Sequence, residues 1–278
     1  MKKILLATTL LAGFAGAASA EVALSGDARM GIINSGDDTT FTSRARVKFT
    51  MSGETDGGLQ FGADFRADNA DDASAGMAGK VFIKGAFGTL SMGDVDGAAQ
   101  AAVGHVDGVG LTGLGDLNES TFIAGGDDPS VLYQYSTGSL AFYASTTQIG
   151  GAAAPMALGA KYSTDAFGVA LGYEDNDAGT DHIIIGASTT FSNVTLKANY
   201  GTASGVLDGD QFAVSATYSA DALSATVFFA DDSELGGAEA YGIGAAYDLG
   251  GGAKVVGGYA KDQTNDSDAF DLGIAMEF

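Results

Sequence analysis

Arg29, Arg44, Arg46, Lys48 and Arg66 crowd into one short part of the chain, each where a period of two puts polar side chains. In "FTSRARVKFTM", residues 41–51, Phe41, Ala45, Val47, Phe49 and Met51 share one face. Thr42, Arg44, Arg46, Lys48 and Thr50 share the other. Arg29 alternates in the same way in the preceding segment, and Arg66 does so in the following one. Three successive strands therefore gather cationic groups on one polar surface. Like charges packed together repel unless something opposite compensates them. A partner of opposite sign is at hand. After "GTLSMGD" the alternation stops, and it resumes only at "PSVLYQY". The gap, roughly 93–128, carries Asp94, Asp96, Asp107, Asp116, Glu119, Asp127 and Asp128, and neither Lys nor Arg. An insertion this long in a compact fold is usually functional. The chemistry open to such groups is non-covalent. Opposed charges across a narrow aqueous gap set up a transverse field, which orders water and polar solutes and penalises apolar ones.

Other motifs carry less. "GVGLTG", 108–113, has dinucleotide-type glycines but neither the preceding strand nor the distal acid of a βαβ unit. "DNDAGTD", 175–181, resembles part of a calcium loop, with Asp175, Asp177 and Asp181 as ligands, but it lacks the terminal bidentate Glu. His105 and His182 are the two histidines, and His182 opens a strand beside acids. A Ser-His-acid hydrolase would need a serine within reach on the same face.

The elements that would position these groups are strands. "DLGIAMEF", residues 271–278, alternates Leu272, Ile274, Met276 and Phe278 with small or acidic residues up to its final aromatic. A terminus is usually loose and solvated, so a greasy face running to the end needs something apolar to lie against. The same design recurs in strands centred near 28, 46, 63, 82, 91, 133, 143, 160, 170, 187, 199, 215, 227, 244, 257 and 274. Between them stand breaks rich in Gly, Asn, Asp and Ser, where turns need them. In the second half, short breaks such as "FSN" and "YSADA" roughly alternate with longer ones such as "EDNDAGTD" and "KDQTNDSD". Short turns on one rim and longer loops on the other are the signature of a transmembrane barrel. The reading is an all-β, 16-stranded antiparallel transmembrane barrel with a long insertion. The last strand pairs with the first, "EVALSGDARMGI", and leaves no open edge in lipid. A soluble β-sandwich is the rival architecture. "GAAQAAVG" within the insertion is Ala-rich and suits a helical turn.

Composition agrees. "MKKILLATTLLAGFAGAASA", residues 1–20, reads as a signal peptide and leaves one domain, 21–278. Its loss removes Lys2 and Lys3, so the formal charge of −22 becomes −24. That charge excludes nucleic acid, which demands a basic footprint. Cysteine is absent, so an exported chain must rely on its fold rather than on disulfides. The first strand follows directly on the expected cleavage site, leaving no room for the plug of an energy-coupled transporter.

"EVALSGDARMGI", "FTSRARVKFTMSGETDGGLQFGADF", "GAFGTLSMGD" and "LGGGAKVVGGYA" closely resemble the general diffusion porins of purple photosynthetic bacteria and related alphaproteobacteria. The resemblance extends over essentially the whole mature chain. It implies a homotrimer in a Gram-negative outer membrane, in contact with lipid and lipopolysaccharide, that passes ions and small hydrophilic solutes. It implies no enzymatic activity and no cofactor, with structural Ca2+ left open at the acidic rim and constriction. It further implies that the insertion folds into the barrel, setting Asp94, Asp96, Asp107, Asp116 and Glu119 against the basic wall of Arg29, Arg44, Arg46, Lys48 and Arg66. Net charge and the acidic loop then predict a weak cation preference. Phe278 resembles the C-terminal aromatic read by the outer-membrane assembly machinery. A barrel hydrolase and a structural or adhesive barrel with a closed lumen are the functional alternatives.

Overall fold

The structure is a computed structural model and describes residues 20–36, 38–68, 79–125, 130–147 and 154–278. The leader expected over 1–20 lies, but for Ala20, outside the described residues, as do Asp127 and Asp128. The strands are β1 (Glu21–Ser35), β2 (Thr39–Glu54), β3 (Gln60–Asp68), β4 (Gly79–Gly85), β5 (Gly88–Gly93), β6 (Ser130–Thr137), β7 (Leu140–Thr146) and β8 (Met156–Ser163). They continue as β9 (Phe167–Asp175), β10 (Thr180–Phe191), β11 (Val194–Gly205), β12 (Gly209–Ala220), β13 (Leu223–Asp231), β14 (Glu239–Gly250), β15 (Ala253–Asp262) and β16 (Ser267–Glu277). Each pairs antiparallel with its neighbour, and β16 pairs with β1 to close the barrel. Every strand centre read from the sequence falls inside one of them.

Alternation explains the closure. Outward residues such as Leu24, Met30, Phe41, Leu171, Ile185, Leu272 and Phe278 are exposed apolar side chains. They form a surface suited to lipid, which offers the backbone no hydrogen bonds and so tolerates strands only in a closed sheet. The two rims differ as expected. Hairpins after β4, β6, β8, β10, β12 and β14 are tight, and the start of β1 and the end of β16 lie on that rim. Connections after the odd-numbered strands tend to be longer, and the one joining β5 to β6 is the insertion. Phe278 extends the β1–β16 ladder, its amide donating to the Gly26 carbonyl at 2.9 Å, while its side chain stays 80% exposed.

The apolar core lies inside the barrel, between the insertion and the wall. One cluster joins Val106, Val109 and Leu114 of the insertion to Ala213, Phe228, Ala230, Ala240 and Ala260 of β12–β15. A second joins Ala98, Ala99 and Ala124 to Ala157 and Ile184. The insertion is thus a packed element. Its helix α1 (Ala98–Val103) is too short to persist alone and depends on packing. Alanines meet wall glycines there. A Cβ added to Gly159 would stand 2.4 Å from the Ala98 carbonyl oxygen, and one on Gly172 would stand 2.6 Å from Ala99 Cβ.

Candidate functional site: the lumen and its inserted loop

The basic surface forms on the inner faces of β1–β3 as the alternation requires. Register then decides its partners. Arg46 stands directly opposite Asp27 on one side and Asp68 on the other. Its Nε donates to Asp27 Oδ1 and Oδ2 at 2.9 and 3.0 Å, and its Nη2 donates to Oδ1 at 2.7 Å. Arg44 Nη2 reaches the same carboxylate at 3.5 Å. Lys48 pairs with Asp64 at 3.6 Å, Lys80 approaches Asp64 at 4.0 Å, and Arg66 pairs with Asp68 at 3.8 Å. Among the described residues, compensation for the wall cations therefore comes from the wall itself and not from the loop acids. Among the described residues, Arg29 alone of the five hydrogen-bonds to the loop, donating from Nη1 to the Leu111 carbonyl at 3.3 Å.

The loop does fold inward. It leaves β5, lays α1 along β7–β10 and crosses the inner wall to a tip at β16 and β1. There Asp271 Oδ1 accepts from the Leu111 amide at 2.9 Å. Asp271 Oδ2 accepts from the Thr112 amide and hydroxyl at 2.6 and 2.7 Å. The "GVGLTG" stretch is thus this tip. On the return, Asn118 Nδ2 donates to the Val106 carbonyl at 2.7 Å and ties the two legs together. Thr121 and Gln211 exchange two bonds of 2.8 Å, from the Thr121 amide to Gln211 Oε1 and from Gln211 Nε2 to the Thr121 carbonyl. Glu174, fully buried, accepts the amides of Ile123 and Ala124 at 2.9 and 3.2 Å. It also meets His182 Nδ1 at 2.8 Å.

The loop acids divide. Asp107 is held on the far wall, receiving Lys197 Nζ at 2.6 Å and the Thr217 hydroxyl at 3.0 Å. In the ring of sixteen, β11 lies diametrically opposite β3, so Asp107 anchors the loop away from the arginines. Glu119 lies 3.9 Å from His105. Asp94, Asp96 and Asp116 are exposed, and among the described residues none has an ion pair. Asp116 and Glu119 border a rim cavity with Asp232 and Asn265.

The remaining motifs take structural roles. Both ring nitrogens of His182 are engaged, one by Glu174 and the other by Gln211 Nε2 at 2.9 Å, which removes it as the base of a hydrolase. Asp175 accepts the Asp177 amide at 2.7 Å, Asp177 accepts the Ala154 amide at 2.8 Å, and Asp181 meets the Tyr173 hydroxyl at 2.5 Å. Among the described residues, no His, Cys, Asp and Glu side chains are grouped so as to hold a metal ion.

The family model described as "Gram-negative porin" matches residues 7–267. The chain belongs to this porin family. It is 37% identical to a porin of Rhodobacter capsulatus, over 93% of this chain and all of that one. It is 30% identical to a porin of Fuscovulum blasticum with the same shares covered. Among solved structures, a porin refined at 1.8 Å superposes with a TM-score of 0.82 at 35% identity, covering 93% of this chain and all of the other. A triple variant of Rhodopseudomonas blastica porin superposes with a TM-score of 0.79 at 23% identity, a likeness of fold, over the same shares. This porin is therefore an outer-membrane channel for passive diffusion and not an enzyme.

The porin's anchoring residues were the ones missed in the sequence. Glu174, Lys197, Gln211 and Asp271 are single inward letters on distant strands. Their signal was slight: each is a charged or amide side chain at one inward position of its strand.

Proposed function

We propose that this porin passes small hydrophilic solutes and ions with a weak preference for cations. The observation that carries the reading is an asymmetry of pairing. The wall cations Arg44, Arg46, Lys48 and Arg66 each have a wall carboxylate within 4.0 Å. Asp94, Asp96 and Asp116 are exposed on the loop and have no such partners among the described residues. Paired charges largely cancel at a distance, so the unpaired carboxylates dominate the potential that a permeating ion meets. In this reading the passage runs between the loop and the Arg44–Arg46–Lys48–Arg66 face, which together form the constriction.

The porin acts as a homotrimer embedded in lipid and lipopolysaccharide, with Phe278 as its assembly signal; the exposed apolar belt and the outward terminal aromatic support this. The test is single-channel recording in a planar bilayer under a KCl gradient. Ohmic openings in groups of three, with a reversal potential on the cation side, are expected. Joint substitution of Asp94, Asp96 and Asp116 by Asn should move the reversal potential toward anions. An anion-selective parent channel, or a triple variant with an unchanged reversal potential, would sink the assignment.

A further inference from the structure

Behind the loop, on the side of the tight turns, a cavity of about 200 Å³ opens between the loop and the wall. Its wall side carries Gly168, Ala170 and Gly186, whose small size leaves a hollow on the inner faces of β9 and β10. Val103, Gly104 and His105 of the loop roof it. Lys161 of β8 and Lys197 of β11 both line it, with Ser188 of β10 between them in the strand order. This basic pair stands on the opposite side of the barrel from the arginine wall.

The donors differ in occupancy. Lys197 gives one N–H to Asp107 at 2.6 Å, and an ammonium group has two more to offer. Lys161 is half-buried and has neither ion pair nor hydrogen bond among the described residues. Asn199 is not available, because its Nδ2 already donates to the Gly104 carbonyl at 2.8 Å and to Ser120 Oγ at 3.2 Å. Two ammonium groups and one hydroxyl therefore converge on a hollow with room for roughly six waters at about 30 Å³ each.

We propose that this niche is a resting station for small organic carboxylates. A short dicarboxylate places one carboxylate on Lys161 and the other on Lys197 beside Asp107, with Ser188 donating to either. The pairing is charge-assisted at both ends, which an uncharged solute of equal size cannot match. The proposal rests on the reading of the lumen as a water-filled passage.

The test is to add succinate to single channels at constant ionic strength, with butane-1,4-diol as the uncharged probe of similar size. Wild-type channels should show brief, saturable interruptions with succinate and none with the diol. Lys161→Gln should raise the half-blocking concentration by about tenfold, the loss of one hydrogen bond to a charged group. Ser188→Ala, a milder change, should raise it about two- to threefold. Lys254→Gln should keep the interruptions, since that residue pairs with Glu277 on β16 and lines neither the niche nor the constriction. Conducting wild-type channels without interruptions would overturn the station and leave the channel standing. So would interruptions whose half-blocking concentration is unchanged in Lys161→Gln, or that vanish equally in Lys254→Gln. Channels that never conduct would overturn the porin reading and the station with it.

Discussion

Asp27 takes two guanidinium groups on one carboxylate, with Arg46 in fork geometry and Arg44 at its edge. Such a pair holds the fork close to the wall and keeps its charge from projecting into the passage. Asp27→Asn keeps the shape and removes the charge. Reversal-potential measurements should then shift toward anions by about two- to fourfold in permeability ratio, the effect of one unit charge at about 5 Å in water. The shift should shrink at high salt, where exposed charges are screened. An unchanged ratio at low salt would mean that permeating ions do not pass near Asp27. The five basic residues were legible because alternation puts them on one face. Their partners were not, because pairing depends on register, and Asp27, Asp64 and Asp68 become neighbours of Arg46 and Lys48 only once the ladders are aligned.

The insertion is an element built to lie against a wall made to receive it. Two wall carboxylates hold it by backbone amides, Glu174 on the return leg and Asp271 at the tip. Glu174→Ala would orphan the amides of Ile123 and Ala124, at about 1–3 kcal/mol for each buried donor left unpaired. Increased open-channel noise and faster protease cleavage within 104–125 are expected, with the barrel still closed. Quiet, protease-resistant channels would show that the apolar clusters alone hold the loop. Gly159→Leu tests the same contact from the wall side. With the Ala98 carbonyl 2.4 Å from an added Cβ, α1 must move off the wall and into the passage, so conductance should fall. The sequence marked the insertion as long, acidic and partly helical, and all three readings hold. It could not show the course along the wall, because the deciding residues are single glycines and acids on β8, β9 and β16, far from the loop in the chain.

Across the whole molecule the period of two separates two jobs on adjacent residues. Asp271 and Leu272 are neighbours in β16 with opposite faces, one 3% exposed and bonded to the loop tip, the other 52% exposed toward lipid. The pattern "DLGIAMEF" could be read in advance because lipid and lumen impose opposite demands on alternate positions, and a slip by one residue would exchange them. The two positions should therefore fail differently. Leu272→Arg places a cation near the middle of the strand in hydrocarbon, at about 2–4 kcal/mol if it lies at the bilayer midplane. The yield of heat-modifiable barrel refolded into vesicles should drop, while those barrels that do fold should conduct like the parent. Asp271→Asn should insert normally and instead loosen the tip, because three donors lose a charged acceptor, and the recordings should become noisy. If both variants failed at insertion, the loop tip would be part of what closes β16 onto β1, and loop docking would belong to barrel assembly.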